Sequence, residues 1–289
     1  MKNLIFSIYV PITERSIRTN TYFEDGGVSK SQTTKTQFEK YKHKLIDVKR
    51  QYAEQCGADF VLIEHVDQQF FNDEFDSINF YKHHLIEKFC NDYDNILYMD
   101  FDVIPNTAQS FFDTHSMDVI NVHAVDATKQ NTWPYNAKQS KKDYKQILDV
   151  HFDRYHMYCK AKCKLAMLSV GDVMSQDHHV ANTGIIGGSS QALSQVQLTK
   201  RLPHCVDALD QTVQENMFGS SITQYYFANN ETFYSYILDK HNIKWHNMTP
   251  EWHTMIMDQS SYDIKHQIYN AKLIHMINKK FDMMWSTDV

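Results

Sequence analysis

The chain has 289 residues, of which 42% are hydrophobic and 22% are charged, so it carries enough apolar side chain for a sizeable core and global disorder is excluded. Its formal net charge of −6 at pH 7, without any Lys/Arg block, argues against nucleic acid as a partner. The length favours one large α/β domain over residues 1–289.

Two further features indicate where the protein works. The apolar stretch near the N-terminus is interrupted by Ser7 and ended by Pro11, too short for a signal-peptide core or for the roughly 20 residues of a bilayer span. The five cysteines are scattered and form no C-x-x-C pair, which favours reduced thiols. We therefore expect a soluble cytoplasmic protein without a transmembrane segment.

The first hundred residues alternate between strand and helix patterns. Short β-branched and aromatic runs predict strands, and apolar residues at steps of three and four predict helices. In chain order these are a strand over 4–10, a helix from Thr34 to Cys56, a strand over 59–64, a helix over 79–91 and a strand over 96–99. This order predicts a mostly parallel central sheet flanked by helices.

The rest of the chain carries weaker signals of the same kind. Residues 11–33 and much of 124–175 read as loop. Beyond the first hundred residues we predict a helix at 110–113, a strand at 119–123, a helix around 141–152, a strand at 183–188, two or three helices up to His241, and short strands at 243–245 and 272–276.

The phosphate-binding glycine motifs are missing. The chain has only eight glycines, with no G-x-G-x-x-G after the first strand and no G-x-x-x-x-G-K-[ST] anywhere. This argues against a Rossmann dehydrogenase and against a P-loop kinase. A nucleotide diphosphate bound here would need another source of positive charge, and a divalent metal held by carboxylates is the usual substitute.

A pair of acids follows the last of these strands. Asp100 and Asp102 come directly after the apolar residues 96–99, and strand residues two apart point to the same side. Like charges make such a pair costly, whereas a hard cation removes the repulsion and gains oxygen ligands. The other D-x-D triplet, residues 92–94, lies in a polar turn where solvated acids are common. We therefore predict metal binding at Asp100 and Asp102.

Taken together, several segments resemble the GT-A-fold glycosyltransferases, which use nucleotide-diphospho-sugars, and within them glycosyltransferase family eight. The resemblance spans nearly the whole chain. It is carried by Tyr-Asp-Asn-Ile-Leu-Tyr-Met-Asp-Phe-Asp-Val-Ile at 93–104, Ala-Asn-Thr-Gly-Ile-Ile-Gly at 181–187, the stretch from Asn229-Asn-Glu231 through Ile243-Lys-Trp245 to Glu251-Trp-His253, and Ala-Lys-Leu-Ile-His at 271–275.

This resemblance implies a division of the single domain and a metal site. Residues 1–105 would form the nucleotide-sugar half, and 106–289 the acceptor-side half with a late strand that supplies a metal ligand. His275, together with Asp100 and Asp102, would hold Mn²⁺ or Mg²⁺, and imidazole among carboxylates favours Mn²⁺.

The resemblance also implies residues that bind the donor, most suitably a UDP-sugar. Asn182 would hydrogen-bond a sugar hydroxyl, and Gly184 would let backbone approach the sugar ring. Lys82 or His83 would reach the diphosphate or the donor sugar. The family's Gly and Lys-Pro-Trp after the histidine are replaced here, which leaves the choice of a diphosphate lysine open between Lys279 and Lys280.

Two acids compete for the acceptor side, Glu231 and Asp210, of which we prefer Glu231. The sequence thus predicts a glycosyltransferase that acts on a glycan or another hydroxyl acceptor. Two alternatives stay open: a sugar nucleotidyltransferase, although the expected glycine-rich loop after the first strand is missing, and a carbohydrate-binding relic of the fold without turnover.

Overall fold

The computed structural model describes residues 1–12, 24–25, 28–65, 74–124, 180–201, 230–256, 268–277 and 279–285. The predicted helix around 141–152 lies outside these residues. The described strands are β1 (Asn3–Ile8), β2 (Glu24–Asp25), β3 (Val28–Ser29), β4 (Ala58–Ile63), β5 (Asn95–Met99), β6 (Val103–Pro105), β7 (Ile120–Ala124), β8 (Ala181–Ser189), β9 (Trp245–Asn247), β10 (Thr254–Met255) and β11 (Leu273–His275).

The helices include two long ones that follow β3 and β4. The described α-helices are α1 (Lys30–Gln55), α2 (Glu74–Phe89), α3 (Phe111–Thr114), α4 (Ser190–Leu193), α5 (Asn230–Lys240) and α6 (Asp282–Trp285), and a 3₁₀ helix spans Pro250–His253. None of the helices in the described part of the chain has an apolar stretch long enough to cross a membrane.

A six-stranded sheet in the order β4-β1-β5-β8-β7-β9 forms the centre of the molecule. Strands β4, β1 and β5 are parallel, and β9 is parallel to β7, whereas β8 runs antiparallel to both of its neighbours. The predicted mostly parallel sheet flanked by helices is confirmed.

The sheet is covered on both faces because its central strands are apolar on both sides. Leu4 and Phe6 of β1 pack in one cluster with side chains of α2 and α5, while Ile5 packs in another with Tyr52 and Ala53 of α1. Every residue of β5 is buried. Such strands read as continuous hydrophobic runs, as expected for parallel strands under two helical layers.

A smaller sheet of three strands, in the order β10-β11-β6, stands beside the central sheet. Strand β11 is antiparallel to β6 and parallel to β10. Because β6 begins four residues after β5 ends, the short segment between them belongs to the junction of the two sheets.

Several elements differ from the sequence prediction; helix α2, for example, spans Glu74–Phe89 rather than residues 79–91. Helix α1 begins at Lys30 rather than Thr34, because its first turn is polar and carries no apolar period. The predicted loop before it contains the β2–β3 hairpin. Strand β9 begins at Trp245, where the prediction had the strand end.

A lysine of α1 is completely buried beneath the junction. Lys49 is 0% exposed, and its Nζ donates hydrogen bonds to the carbonyl oxygens of Phe101 at 2.8 Å and Val103 at 2.6 Å. Burial lowers the pKa of Lys49 from the ordinary 10.5 to about 7, an effect that Asp102 and Asp100 partly oppose. The backbone on either side of Asp102 is therefore held by one amino group.

We expect this lysine to make stability depend on pH. Between pH 7 and 10.5 the unfolded chain binds a proton at Lys49 that the folded chain lacks, so the free energy of unfolding rises with pH. Urea unfolding of wild type and Lys49→Met in EDTA checks this. The free energy of unfolding of wild type should increase relative to that of the variant by at most about 1.4 kcal/mol per pH unit. A difference that is flat or shrinks across the window contradicts the assignment.

Candidate metal centre

Asp100 and Asp102 lie in a turn rather than at the end of a strand. Strand β5 ends at Met99, and the turn is closed by a hydrogen bond from Val103 N to the Asp100 carbonyl at 3.0 Å. Asp100 N donates to the Gly184 carbonyl of β8 at 2.7 Å. The two acids are therefore close because of this turn, and not because they alternate along a strand as predicted.

His275 reaches this turn through the smaller sheet. The antiparallel pairing of β11 and β6 sets His275 opposite Val103, and Met276 N donates to the Asp102 carbonyl at 3.0 Å. His275 Nε2 lies 3.4 Å from Asp102 Oδ2 and 3.8 Å from Asp100 Oδ2. One ligand atom from each of the three residues lies within 4.8 Å of the others, the only such group in the described part of the chain.

The donor set and its surroundings fit a divalent cation. Two carboxylates and an imidazole are ligands that Mn²⁺ accepts, and Mg²⁺ binds through one or two carboxylates. The side chain of Asp100 is 24% exposed, so the group opens to solvent instead of being sealed in the core. A Cβ on Gly184 would lie 2.3 Å from His275 Cε1, so the absence of a side chain at 184 makes room for the histidine ring.

Asp102 is buried and lies against Lys279 and His275. Burial would raise the pKa of its carboxyl, but Lys279 and His275 outweigh burial and hold this pKa well below its usual range. Lys279 Nζ contacts Asp102 Oδ2 directly. These two side chains therefore offset the mutual repulsion expected of the two acids. A metal would share Asp102 with Lys279 or displace the Lys279 ammonium from Asp102.

Asp100 is held by two different side chains. Tyr98 donates its hydroxyl hydrogen to Asp100 Oδ1, and the Lys82 ammonium lies 3.5 Å from the same oxygen. Burial, and then the nearby Asp100 charge, raises the pKa of Tyr98 well above its ordinary value, so Tyr98 remains a donor. These contacts leave Asp100 Oδ2 facing His275.

Lys82 connects this acid to strand β8. It is 1% exposed, and its Nζ donates to the Thr183 carbonyl at 2.9 Å. On the other side of the same residue, Thr183 N donates to Glu231 Oε1 at 3.2 Å. Burial raises the pKa of Glu231, while Lys82 and the Thr183 hydrogen bond partly oppose this rise. Glu231 therefore lies close enough to Asp100 and His275 to interact with them electrostatically.

His83 does not face Asp100 as Lys82, the preceding residue, does. It is 3% exposed, its Nε2 lies 2.9 Å from Asn230 Oδ1, and its ring stacks on Tyr234. Burial and the charge of Lys82 lower the pKa of His83 to about 3, so the ring is neutral at pH 7. The structure does not bring His83 to the metal group.

Three predicted site residues remain, namely Asn182, Lys280 and Asp210. Asn182 belongs to β8, and its Oδ1 accepts a hydrogen bond from Gly184 N at 2.9 Å. Lys280 is partly buried and directly follows Lys279 in the chain. Asp210 lies outside the described residues.

Sequence reasoning missed three residues that shape the group. Tyr98 and Lys49 are hidden because an aromatic in a strand and a lysine on an amphipathic helix are commonplace. His253 is 0% exposed, and its Nε2 lies 2.9 Å from His275 Nδ1. Burial and the neighbouring His275 lower its pKa well below 6.5. No local signal could have found these side chains, because each acts through a contact across the fold.

Solved structures with a similar fold are glycosyltransferases by their descriptions. A glycosyltransferase involved in the glycosylation of the major capsid of PBCV-1 is 12% identical, with 99% of this chain and 100% of that chain covered and a TM-score of 0.47. A galactosyltransferase, LgtC, in complex with donor and acceptor sugar analogs is 12% identical, with coverage of 95% and 87% and a TM-score of 0.41. Mouse xyloside xylosyltransferase 1 is 11% identical, with coverage of 96% and 98% and a TM-score of 0.41.

No protein-family model matches the sequence, and no curated protein matches it. At TM-scores below 0.5, the structural similarities add nothing to what the chain's own contacts establish about the site.

We expect Gly184→Ala to weaken metal binding. The new Cβ would lie 2.3 Å from His275 Cε1 and 2.7 Å from Nδ1, so the ring must leave its position. The affinity for Mn²⁺, measured by electron paramagnetic resonance, should fall about 10-fold or more, as when a ligand loses its support.

Gly187→Ala is the matched control on the same strand. Its Cβ would lie 2.3 Å from Phe111 Cε1, a core ring away from the acids. This variant should lose about 1–3 kcal/mol of stability through overpacking while the folded protein keeps its affinity for Mn²⁺. Equal Mn²⁺ affinities in the two variants would contradict the role of Gly184.

Proposed function

We propose that the protein is a metal-dependent glycosyltransferase, which moves a sugar from a nucleotide-diphosphate sugar to a hydroxyl group of a glycan or another acceptor. The observation that carries the proposal is the convergence of Asp100, Asp102 and His275 within 4.8 Å, directly after the C-terminal end of β5. Ligands of open α/β sheets bind outside the carboxyl ends of the strands. The family resemblance of the sequence motifs favours a UDP-sugar as the donor.

The three ligands would hold Mn²⁺, or Mg²⁺, between the protein and the diphosphate. The bound ion would supply positive charge that stabilises the departing nucleoside diphosphate. The chain offers no glycine-rich phosphate loop in its sequence, and this charge would take the place of such a loop.

The lysines around the site would have two different tasks. Lys279 and Lys280 follow His275 in the chain, and Lys279 contacts Asp102. A Lys279 side chain released from Asp102 by the metal would bind a diphosphate oxygen. Lys82 is buried against Asp100 and the Thr183 carbonyl, so it orients the acid instead of reaching far into solvent. This arrangement favours Lys279 as the diphosphate lysine.

Strand β8 would form the wall beside the donor sugar. The Asn182 Oδ1 atom is already engaged by Gly184 N, which leaves the amide nitrogen of Asn182 as the group that can donate to a sugar hydroxyl. Gly184 makes room for His275 in the structure, a role different from the close backbone approach to the sugar inferred from the sequence.

Glu231 is our candidate for a residue that acts on the acceptor. It stands at the start of α5 and is joined to β8 by the Thr183 hydrogen bond. For inversion, a carboxylate base must remove the acceptor proton opposite the leaving group, and Glu231, or Asp210, would serve. For retention, which the resemblance to family eight favours, the leaving phosphate would take that proton.

The proposal is tested by release of UDP from UDP-sugars in Mn²⁺ or in EDTA. We expect release that requires metal, and Asp100→Asn should reduce the rate about 10²-fold or more because a ligand charge is lost. Asp118→Asn, an exposed acid outside the site, is the matched control and should keep the wild-type rate.

Each alternative function predicts a different product. If no UDP-sugar gives metal-dependent release of UDP, the carbohydrate-binding relic replaces our proposal. If the protein releases pyrophosphate from a nucleoside triphosphate and a sugar phosphate, it is a nucleotidyltransferase.

We expect Glu231→Gln to separate chemistry from positioning. Glutamine keeps an oxygen that can accept the Thr183 N–H but removes the carboxylate base, so an inverting enzyme should lose about 10²–10⁴-fold in kcat at an unchanged KM for the donor, whereas a retaining enzyme should keep its kcat. Steady-state kinetics with a fixed acceptor measures both. A variant with the wild-type kcat and a retained product anomer, seen by NMR, would instead assign proton removal to the leaving phosphate.

A further inference from the structure

A second imidazole stands directly behind the histidine of the metal group. His253 ends the 3₁₀ helix, and its ring lies 5.2 Å from the His275 ring, centroid to centroid, at an interplanar angle of 27°. The pairing of β10 with β11 fixes this relation, because it sets Met255 opposite His275 and Ile256 N donates to the His275 carbonyl at 2.8 Å. The two rings are thus held together by backbone register.

The position of the ring proton on His275 follows from which nitrogen faces the acids. Nε2 is the atom 3.4 Å from Asp102 Oδ2, so Nε2 must be unprotonated to bind a cation there. When a cation is bound at Nε2, the single ring proton of His275 is therefore on Nδ1, which needs an acceptor. His253 Nε2 lies 2.9 Å from Nδ1 and is that acceptor.

We propose that His253 is a positioning residue for the metal centre, in which its Nε2 accepts the Nδ1–H of His275 and holds the unprotonated Nε2 of His275 toward Asp100 and Asp102. This inference rests on the proposed function, because it assigns a partner to a ligand of the same site. Partners of this kind fix the orientation and tautomer of a histidine ligand.

The other nitrogen of His253 supports a polar role for this side chain. With Nε2 as an acceptor, the proton of neutral His253 is on Nδ1, a buried atom without a hydrogen-bond partner among the described residues. An unsatisfied buried N–H is costly, and an apolar residue at this position would avoid the cost. The contact at Nε2 explains why a histidine stands here.

A third imidazole, tilted against His253, provides a matched control. His123 lies 5.5 Å from His253, centroid to centroid, and its Nδ1 donates to the Met248 carbonyl at 3.1 Å. It is 3% exposed, comparable to His253 and His275, and its Nδ1 is engaged by the Met248 carbonyl. A substitution at 123 therefore disturbs the same group of rings but leaves Nε2 of His253, the proposed acceptor, in place.

The test measures binding of Mn²⁺ alone, without donor or acceptor, by electron paramagnetic resonance. His253→Leu removes the acceptor at similar volume and should weaken Mn²⁺ binding about 10- to 100-fold. His253→Gln offers an amide oxygen in place of Nε2 and should stay within about 3-fold of wild type, and His123→Gln should bind as wild type does. His253→Leu with wild-type affinity overturns the proposal, as does an equal loss in His123→Gln.

A spectroscopic measurement on the unmodified protein keeps the proposal testable if His253→Leu does not fold. In ¹⁵N-histidine protein loaded with Mg²⁺, a scalar coupling between His275 Nδ1 and His253 Nε2 is expected, with the proton on Nδ1 of His275. Absence of this coupling, or a proton on Nε2 of His253, overturns the proposal.

The two proposals fail in different ways. If wild type binds Mn²⁺ and His253→Leu binds it equally well, the role of His253 is wrong and the proposed glycosyltransferase activity is unaffected. If Mn²⁺ binding depends on His253 as expected but no UDP-sugar is turned over, the activity is wrong and the role of His253 stands.

Discussion

The antiparallel pairing of β6 with β11 is the contact on which the candidate site depends. It sets His275 opposite Val103, which lies one residue beyond Asp102, although the two segments are far apart in the sequence. Backbone hydrogen bonds then lock the junction, from Met276 N to the Asp102 carbonyl and from Asp100 N to the Gly184 carbonyl. Because backbone groups set the positions of all three ligand residues, the group does not rely on side-chain attraction to assemble. A slip of one residue in the β6–β11 register would turn the histidine to the other face of the smaller sheet.

Three buried or half-buried lysines hold the turn and its two acids in place, each from a different direction. Lys49 lies beneath the turn and binds its carbonyl oxygens, Lys82 approaches Asp100 from α2, and Lys279 contacts Asp102 from the C-terminal loop. Two carboxylates this close would otherwise raise each other's pKa. The three lysines differ in their hydrogen-bond partners. Lys49 and Lys82 donate to backbone carbonyls, whereas Lys279 is more exposed and contacts the Asp102 carboxylate itself. Of the three, Lys279 is therefore the group most easily exchanged for another cation.

The sequence predicted the elements of the first half well because their patterns are local. Strands β1, β4 and β5 and the apolar faces of α1 and α2 have clear periods, and the parallel arrangement of the strands follows from general rules of connection. The β2–β3 hairpin and the first turns of both helices were not predicted. The importance of Asp100 and Asp102 was also predictable, because two like charges directly after a buried strand are costly unless they bind a cation. The partners of these acids were not visible. Tyr98, Lys49 and His253 act through contacts between distant segments, and nothing in their own neighbourhoods distinguishes them from residues of an ordinary core. His275 entered only through the resemblance of its segment to a known family, because one histidine among 16 carries little information.

The glycines of β8 explain how a chain without a phosphate-binding loop builds such a site. In a glycine-rich loop the missing side chains let backbone N–H groups approach phosphates. Here the missing side chains make room for other side chains: a Cβ on Gly184 would overlap the His275 ring, and one on Gly187 would overlap Phe111. Glycine in a strand interior costs stability, so its use twice in four residues needs compensation. The space is filled at one position by an aromatic ring of the core and at the other by the histidine that faces the acids. The strand thus packs directly against a side chain of the candidate metal group, and in the proposed function the positive charge for a diphosphate would come from the cation that the two acids and His275 hold.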